Sequence, residues 1–413
     1  MLAGSGARLA IQGVYFILIA RALGAEQYGA FVGVVALMAI VAPFASWGTG
    51  PLLIRNVARD PSSFSSSWGN ALWMTSISGS VLLSTLLLLA KFVLSEKIPL
   101  KLVLWVGVSD LLLAAAVGVA AQTFQAVEQL HIMARAQIGL TAARAIAAVI
   151  LVLLVSHPTA VLWGCCYCLS SALGAIYAIA LVCSKLGFPT LRLRHLRSDL
   201  LEGFYFSISV SAQSVYNNID KTMLVRLATF AAAGIYGAAY RLIDLSFQPV
   251  GALVYAAYPR FFQHGRTGLE GTRRLAARVL PSAIIYAIFA AVALMLLAPV
   301  VPLMFGRDFA DSVGALRWLS PLVVFKACHY FLADALTGAG HQGIRSAIQI
   351  AIAALNILLN LWLIPAYSWR GAAWASLASD GLLVVGMFAV IQMLSRKALP
   401  SGPACLPDAG VSS

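Results

Sequence analysis

The fold is decided by residues 233–246, which read Ala-Gly-Ile-Tyr-Gly-Ala-Ala-Tyr-Arg-Leu-Ile-Asp-Leu-Ser. The surrounding sequence is apolar, as in a membrane span, yet this segment contains Arg241 and Asp244. An ionisable group inside a span costs at least about 2.5 to 3.5 kcal/mol, so such groups persist mainly where they face a bundle interior or a water-filled cavity. The stretch therefore indicates a membrane protein with a polar interior.

A weaker copy of this stretch occurs near the N-terminus. Residues 28–30, Tyr-Gly-Ala, align with the same three residues at 236–238, an offset of 208 residues that is half of the chain. Pro43 and Pro249, in the helices that follow the two copies, lie 206 residues apart. Internal repeats of this kind occur in many transporters. We therefore expect two homologous halves.

Composition excludes a soluble protein. The chain is 61% apolar and 10% charged, with a mean hydropathy of +0.88, whereas soluble domains are about 25% charged. At roughly 20 residues for each span, a chain of 413 residues has room for about twelve membrane helices. The predicted spans are 8–23, 28–47, 71–93, 102–120, 136–155, 161–183, 203–227, 236–258, 279–299, 316–336, 344–365 and 371–394. The predicted fold class is an all-α membrane protein.

The distribution of Lys and Arg predicts the orientation. With the N-terminus in the cytoplasm, sixteen basic residues lie in cytoplasmic segments and nine on the opposite side, which is the usual bias. Both termini are therefore expected in the cytoplasm, and the net charge of +13 needs no nucleic-acid partner. The two most basic joints, 184–202 and 259–278, fall on the cytoplasmic side, where anionic lipid headgroups attract Lys and Arg.

The first basic joint also separates the two halves. We therefore predict an N-terminal six-helix lobe over residues 1–190 and a C-terminal six-helix lobe over residues 191–400. Residues 401–413 form a tail that is too short and too polar to pack, and we expect it to be disordered in the cytoplasm.

Several function classes are disfavoured by what the sequence lacks. It contains no P-loop motif for nucleotide binding, so active transport would draw on an ion gradient, the membrane potential or downhill use of the substrate. A membrane glycosyltransferase or ligase would need a larger external loop than 299–315, and we expect no enzyme. The cysteines and histidines form neither a disulfide framework nor a metal pattern, so no cofactor or metal is expected.

Ionisable residues inside the predicted spans are the candidate functional groups. Lys326 and Asp380 lie nearest the middle of the membrane, which favours a cavity or coupling role over simple exposure. Arg241 and Asp244 are three residues apart on one helix face, where they either pair with each other or face a cavity.

Two further groups of polar residues lie within the predicted spans. Asp110 and Arg144, in the fourth and fifth spans, form a mutual salt bridge or contact a ligand, and the sequence leaves both open. Asp220 follows Asn217 and Asn218, and the three predict a polar patch where the seventh helix unwinds, as at many substrate or ion sites.

Several motifs resemble those of one known family. Residues 20–29, with Ala20-Arg21-Ala22-Leu23-Gly24 and Tyr28-Gly29, resemble the hallmark joint after the first helix of Wzx-type oligosaccharide flippases. Asp220-Lys221 followed by 234–241 is similar to the second hallmark of that family. The stretches similar to the last four spans of the family are 305–309, 336–340, 356–365 and 371–373.

The resemblance implies twelve helices in two pseudo-symmetric six-helix lobes around a central cavity. It also implies a bacterial inner-membrane flippase that moves an undecaprenyl diphosphate-linked oligosaccharide from the cytoplasmic to the periplasmic leaflet by alternating access, ahead of a polysaccharide polymerase machinery. The alternative is a cation-coupled multidrug exporter of the same fold, for which a cavity rich in carboxylates would be expected in the N-terminal lobe.

The resemblance also suggests roles for particular side chains. The expected contacts to the diphosphate or the sugars are Arg21, Arg144, Arg241 and Lys326. The expected coupling or gating groups are Asp220, Asp244 and Asp380.

Overall fold

The computed structural model describes residues 2–191 and 196–397. Nearly all of these residues are helical and none forms a strand, which confirms the all-α prediction. The predicted tail, residues 401–413, lies outside the described ranges.

Helices follow one another with short joints. They are α1 (Leu2–Ala45), α2 (Thr49–Arg59), α3 (Phe64–Val93), α4 (Leu100–Gly107), α5 (Ala114–Ala126), α6 (Leu130–Leu154), α7 (Ala160–Lys185), α8 (Leu196–Leu227), α9 (Phe230–Gly265), α10 (Leu269–Leu297), α11 (Val301–Phe305), α12 (Ser312–Leu319), α13 (Leu322–Gly338), α14 (Gln342–Tyr367) and α15 (Trp369–Lys397). A π-helical segment, Val108–Leu113, joins α4 to α5. All twelve predicted spans lie on these helices.

The first two predicted spans are the two arms of α1. Gly24, with φ of 69° and ψ of 170°, interrupts the helix between a first arm, 2–23, and a second arm, 25–45. The rings of Phe16 and Tyr28 lie 5.4 Å apart, whereas twelve residues of straight helix would separate them by about 18 Å. The chain therefore folds back on itself at Gly24.

Nine helical stretches of the described chain are long and apolar enough to cross a membrane, and the first, Ala10–Ala45, contains both arms of α1. The helices α8 and α9 are not among the nine. They carry the polar residues that the sequence singled out, including Asp220, Arg241 and Asp244. Other candidate groups, among them Lys326 and Asp380, lie on helices within the nine stretches.

The two halves of the chain meet along α1. Both α8 and α9 of the second half pack against it. The α8 helix follows the second arm along its length, because Thr222, Ser211 and Ser207 donate side-chain hydrogen bonds to backbone carbonyls of that arm at Gly33, Ile40 and Pro43. Side chains of α8 therefore bind directly to the backbone of α1.

Backbones of the two halves touch next to the Gly24 kink. A Cβ added at Gly29 would lie 1.7 Å from the Phe230 carbonyl oxygen and 2.6 Å from the Gly234 nitrogen. A Cβ at Gly234 would lie 2.0 Å from the Ala25 carbonyl oxygen. Since such distances exclude any side chain, glycine is required at both positions. The repeated sequence elements thus pack against each other and close this end of the molecule.

We expect Gly234→Leu to separate the halves at this end, because its side chain would occupy the space of the Ala25 backbone. In a background without native cysteines, Ile19→Cys, a position 2% exposed, should then react several-fold faster with a membrane-impermeant maleimide added on the side of the Gly24 kink.

The matched control is Gly251→Leu on the same helix, where the nearest atom to an added Cβ is Phe247 Cε1 at 3.8 Å. Equal labelling rates in the two variants would show that the glycine contact does not close this end.

Candidate functional site

A cavity of about 90 Å³ lies between the two halves, beneath the glycine contact. Its charged lining groups are Lys221, Arg241 and Asp244. Its aromatic lining residues are Tyr15, Phe16, Tyr28, Phe31, Trp163 and Tyr167. We call this space the central cavity and its six aromatic lining residues the aromatic wall. Cationic and aromatic side chains thus line the same space.

Arg241 enters this cavity from α9. The structure does not form the Arg241–Asp244 pair that the sequence allowed, because Asp244 Oδ1 lies 3.6 Å from Lys326 Nζ on α13. The Arg241 guanidinium instead lies 5.2 Å from the centre of the Phe16 ring. Within the described chain no carboxylate oxygen approaches it to 4.0 Å. Arg241 is therefore a cavity cation without a carboxylate partner in that part of the protein.

Two lysines lie beside the ring of Tyr240. The Nζ atoms of Lys221 and Lys326 lie 3.5 and 4.6 Å from its centre, and both side chains are buried. Each also has a carboxylate nearby, since Lys221 Nζ is 3.5 Å from Asp220 Oδ1 and Lys326 contacts Asp244. Cation–π contact and ion pairing together stabilise both charges away from water.

Asp220 links three helices of the second half. The carboxylate is fully buried and accepts hydrogen bonds from the Tyr236 hydroxyl on α9, from the Ser376 hydroxyl on α15 at 3.2 Å, and from the Lys221 backbone N–H at 2.7 Å. It lies at the junction of α8, α9 and α15 and does not line the central cavity.

The expected unwinding of α8 near Asp220 is wrong. The helix is continuous from Leu196 to Leu227. The side-chain amides of Asn217 and Asn218 donate to the carbonyls of Gln213 and Ser214, one turn back, each at 3.0 Å. Because the helix itself satisfies these amides, they do not break it.

Asp380 on α15 lies next to His329 on α13. The His329 Nε2 and Asp380 Oδ1 atoms are 3.0 Å apart, at ion-pair distance but without the alignment of a hydrogen bond. Both side chains are buried, and neither lines the central cavity. The sequence does not show that these two residues meet, because they lie on different helices and 51 residues apart.

Asp110 and Arg144 form the salt bridge that the sequence left open. Arg144 Nη2 lies 3.0 Å from Asp110 Oδ1, and the guanidinium stacks 3.9 Å from the centre of the Tyr167 ring. The Tyr167 hydroxyl donates to the same carboxylate at 2.9 Å. The pair lines a second cavity of about 410 Å³, here called the N-lobe cavity. Asp110 lies in the π-helical segment, a feature frequent at functional sites.

Arg21 lies apart from these groups. Its side chain is exposed near the end of the first arm, and it lines neither the central cavity nor the N-lobe cavity. Sequence reasoning also missed the aromatic wall, because Tyr15 and Phe16 have no polar neighbour in the chain to mark them.

Among the described residues, no three or more His, Cys, Asp or Glu side chains lie close enough together to hold a metal ion.

The helical fold is similar to that of solved membrane transporters and flippases. An inward-facing multidrug resistance MATE family transporter of the MOP superfamily superposes with a TM-score of 0.78 at 15% identity, over 94% of this chain and 96% of that one. The lipid II flippase MurJ in an inward closed conformation gives 0.76 at 12% identity, over 95% and 88%. An outward-facing MATE transporter gives 0.65 at 15% identity, over 95% and 94%.

Residues 2–264 match the family described as "Polysaccharide biosynthesis protein". The chain therefore belongs to this family, as its motifs predicted. An uncharacterized membrane protein of Methanocaldococcus jannaschii is 25% identical over 190 residues, which are 45% of this chain and 44% of that protein. The chain thus matches less than half the length of that relative.

Breaking the Asp110–Arg144 pair should destabilise the protein. Removing one partner of a buried pair costs about 3 to 5 kcal/mol, and we expect the low end for Asp110→Asn, since the two side chains are 17% and 14% exposed. The double variant Asp110→Asn, Arg144→Met should lose less than the sum of the single losses. Chemical denaturation in detergent micelles measures each change.

The control is Glu270→Gln, in the exposed ion pairs with Arg273 and Arg274, which should not change stability measurably. Additive losses in the double variant would mean that the two charges do not interact.

Proposed function

We propose that the protein flips an undecaprenyl diphosphate-linked oligosaccharide from the cytoplasmic to the periplasmic leaflet of a bacterial inner membrane. Arg241 carries this proposal, because no carboxylate oxygen of the described residues lies within 4.0 Å of it. An arginine so placed in an apolar bundle is stabilised by an anion that arrives with the ligand. A diphosphate offers the paired oxygen acceptors that suit a planar guanidinium. Membership of the polysaccharide biosynthesis family supports the glycan part of the substrate.

The other central cavity charges fit the same ligand. Lys221 and Asp244 line the cavity with Arg241, and Asp244 neutralises the buried Lys326 at 3.6 Å. A diphosphate near Arg241 would compete with Asp244 for Lys326. We therefore assign Asp244 a gating role, in which its carboxylate holds Lys326 until the anion enters.

Alternating access explains the size of the central cavity. Its volume of about 90 Å³ is well below the roughly 300 to 1,000 Å³ of ligand pockets, so the lobes, residues 1–190 and 191–400, must separate to admit a headgroup. The TM-score is higher to an inward-facing than to an outward-facing transporter, 0.78 against 0.65. This supports an inward-facing state, which is closed on its outer side, and the glycine contact closes the Gly24 end. We assign that end to the periplasm and both termini to the cytoplasm.

The cytoplasmic face then presents the end of α9, the start of α10 and the joint between them. The basic residues of this region are Arg260, Arg266, Arg273, Arg274 and Arg278. Each Lys or Arg near an anionic membrane surface contributes about 1 kcal/mol of attraction. We infer that anionic lipids bind here, while the flipped product passes to polysaccharide polymerase machinery on the other side.

We expect Arg241→Ala to abolish flipping and Arg241→Lys to retain part of it, because lysine keeps the charge without the planar pair of donors. The assay follows a fluorescent polyprenyl diphosphate oligosaccharide in proteoliposomes through its access to an external sugar-binding protein. Arg317→Ala, at an exposed position on α12, is the matched control and should flip at the wild-type rate.

Flipping by Arg241→Ala at the wild-type rate would contradict the role of this arginine. If the wild type moved a cationic dye down an ion gradient and left the glycolipid in place, the protein would be a multidrug exporter of the same fold.

Coupling is assigned to the buried carboxylates Asp220 and Asp380. Since the sequence has no nucleotide-binding motif, we expect an imposed ion gradient or membrane potential to accelerate flipping. Asp220→Asn or Asp380→Asn should remove that acceleration, because an amide neither exchanges a proton nor carries charge. Flipping rates under a sodium gradient, a pH gradient and a potassium diffusion potential, imposed in turn, measure the response.

The control for coupling is Asp311→Asn, at an exposed position beside α12. A response retained in both buried variants would assign coupling to other residues.

A further inference from the structure

The N-lobe cavity is larger than the central cavity and lies next to it. Its volume is about 410 Å³, within the range of small-molecule pockets, roughly 300 to 1,000 Å³. Val35 and Tyr167 line both cavities. The N-lobe cavity is therefore the space next to a ligand whose charged end lies at Arg241.

The two cavities differ in charge. Asp110 and Arg144 are the charged residues that line the N-lobe cavity, and they neutralise each other at 3.0 Å. A closed ion pair leaves no net charge for a diphosphate to balance. The N-lobe cavity is therefore polar but neutral, in contrast to the central cavity with Arg241.

The polar atoms of the N-lobe cavity suit a ligand rich in hydroxyl groups. The Gln122 amide, the Ser46 hydroxyl and the Tyr167 hydroxyl add donors and acceptors to the carboxylate and guanidinium of the pair. A sugar hydroxyl both donates and accepts, so a mixed and neutral lining satisfies it better than a lining of one sign. Small side chains on α5, at Ala114, Ala115 and Gly118, leave the space open.

We propose that the N-lobe cavity is the glycan subsite of the transport path, lined by Asp110, Arg144, Tyr167 and Gln122. This inference rests on the proposed function, since it places the sugars of the same substrate. The diphosphate lies at Arg241, and the glycan extends from it toward α5. Arg144 then contacts sugar and not diphosphate.

Gly118 allows a direct test. It lines the N-lobe cavity, and a Cβ added there meets no atom within 4 Å. Because leucine also favours a helix more than glycine does, Gly118→Leu should fold while its side chain fills the cavity. The matched control is Gly343→Leu on α14, where an added Cβ also meets no atom within 4 Å.

The experiment compares two probes in proteoliposomes: undecaprenyl diphosphate carrying one N-acetylglucosamine, and the same lipid carrying a linear tetrasaccharide built on that sugar. Because leucine fills space that the longer glycan needs, Gly118→Leu should slow the tetrasaccharide lipid about tenfold or more. The single-sugar lipid should move at close to the wild-type rate, Gly118→Ala should be intermediate, and Gly343→Leu should move both lipids normally.

Two results would overturn the glycan subsite while leaving the proposed function intact. In one, Gly118→Leu slows both lipids equally, which would make the N-lobe cavity a general part of the path. In the other, it slows neither. Failure of the wild type to move either lipid would overturn the proposed function itself.

Discussion

The structure depends on one backbone contact, where the second arm of α1 crosses α9. Gly29 and Gly234 bring the two helices so close that an added Cβ would lie 1.7 or 2.0 Å from a carbonyl oxygen of the partner helix. Apolar side chains gain little from each other in lipid, whereas small residues allow close helix packing. The contact closes one end of the interface between halves, and the central cavity lies directly beneath it. Gly29 belongs to the sequence repeat and Gly234 lies two residues before its second copy, so the closure forms where the repeated segments of the two halves meet.

The placement of charge follows from the cost of ions in an apolar medium. Asp220 is satisfied by hydroxyl and amide donors from three helices, and Arg144 by Asp110. Lys326 is paired with Asp244. Each of these groups contacts a partner on another helix, whereas Arg241 lies beside the Phe16 ring and lines the central cavity. Asp220, Arg144 and Lys326 therefore hold helices together, whereas Arg241 is the group best placed to bind an anion.

Much of the fold could be predicted from the sequence, because spans of about 20 apolar residues leave a strong signal. Every predicted span lies on a helix, and the repeat at residues 28–30 and 236–238 marked the interface between the halves. The choice of ionic partners could not be predicted in the same way. Asp244 is three residues from Arg241 in the chain, yet the fold brings Lys326 from another helix to it.

Other parts of the site depend on tertiary structure alone. Asn217 and Asn218 predicted an unwound helix, but hydrogen bonds to the preceding turn keep α8 intact. Arg21 belongs to a family motif, yet its side chain is exposed and outside both cavities. The aromatic wall had no sequence signal, since apolar residues are common in every span and only the fold shows which of them face a cavity. The neutral character of the N-lobe cavity depends likewise on an ion pair between different helices.

The most direct measurement is a cryo-electron microscopy structure of the protein in nanodiscs with a polyprenyl diphosphate-linked oligosaccharide bound. We expect the diphosphate between the lobes, with its oxygens within hydrogen-bond distance of the Arg241 guanidinium. A diphosphate bound outside the interface between the lobes, with Arg241 paired to a carboxylate of the protein instead, would contradict the account.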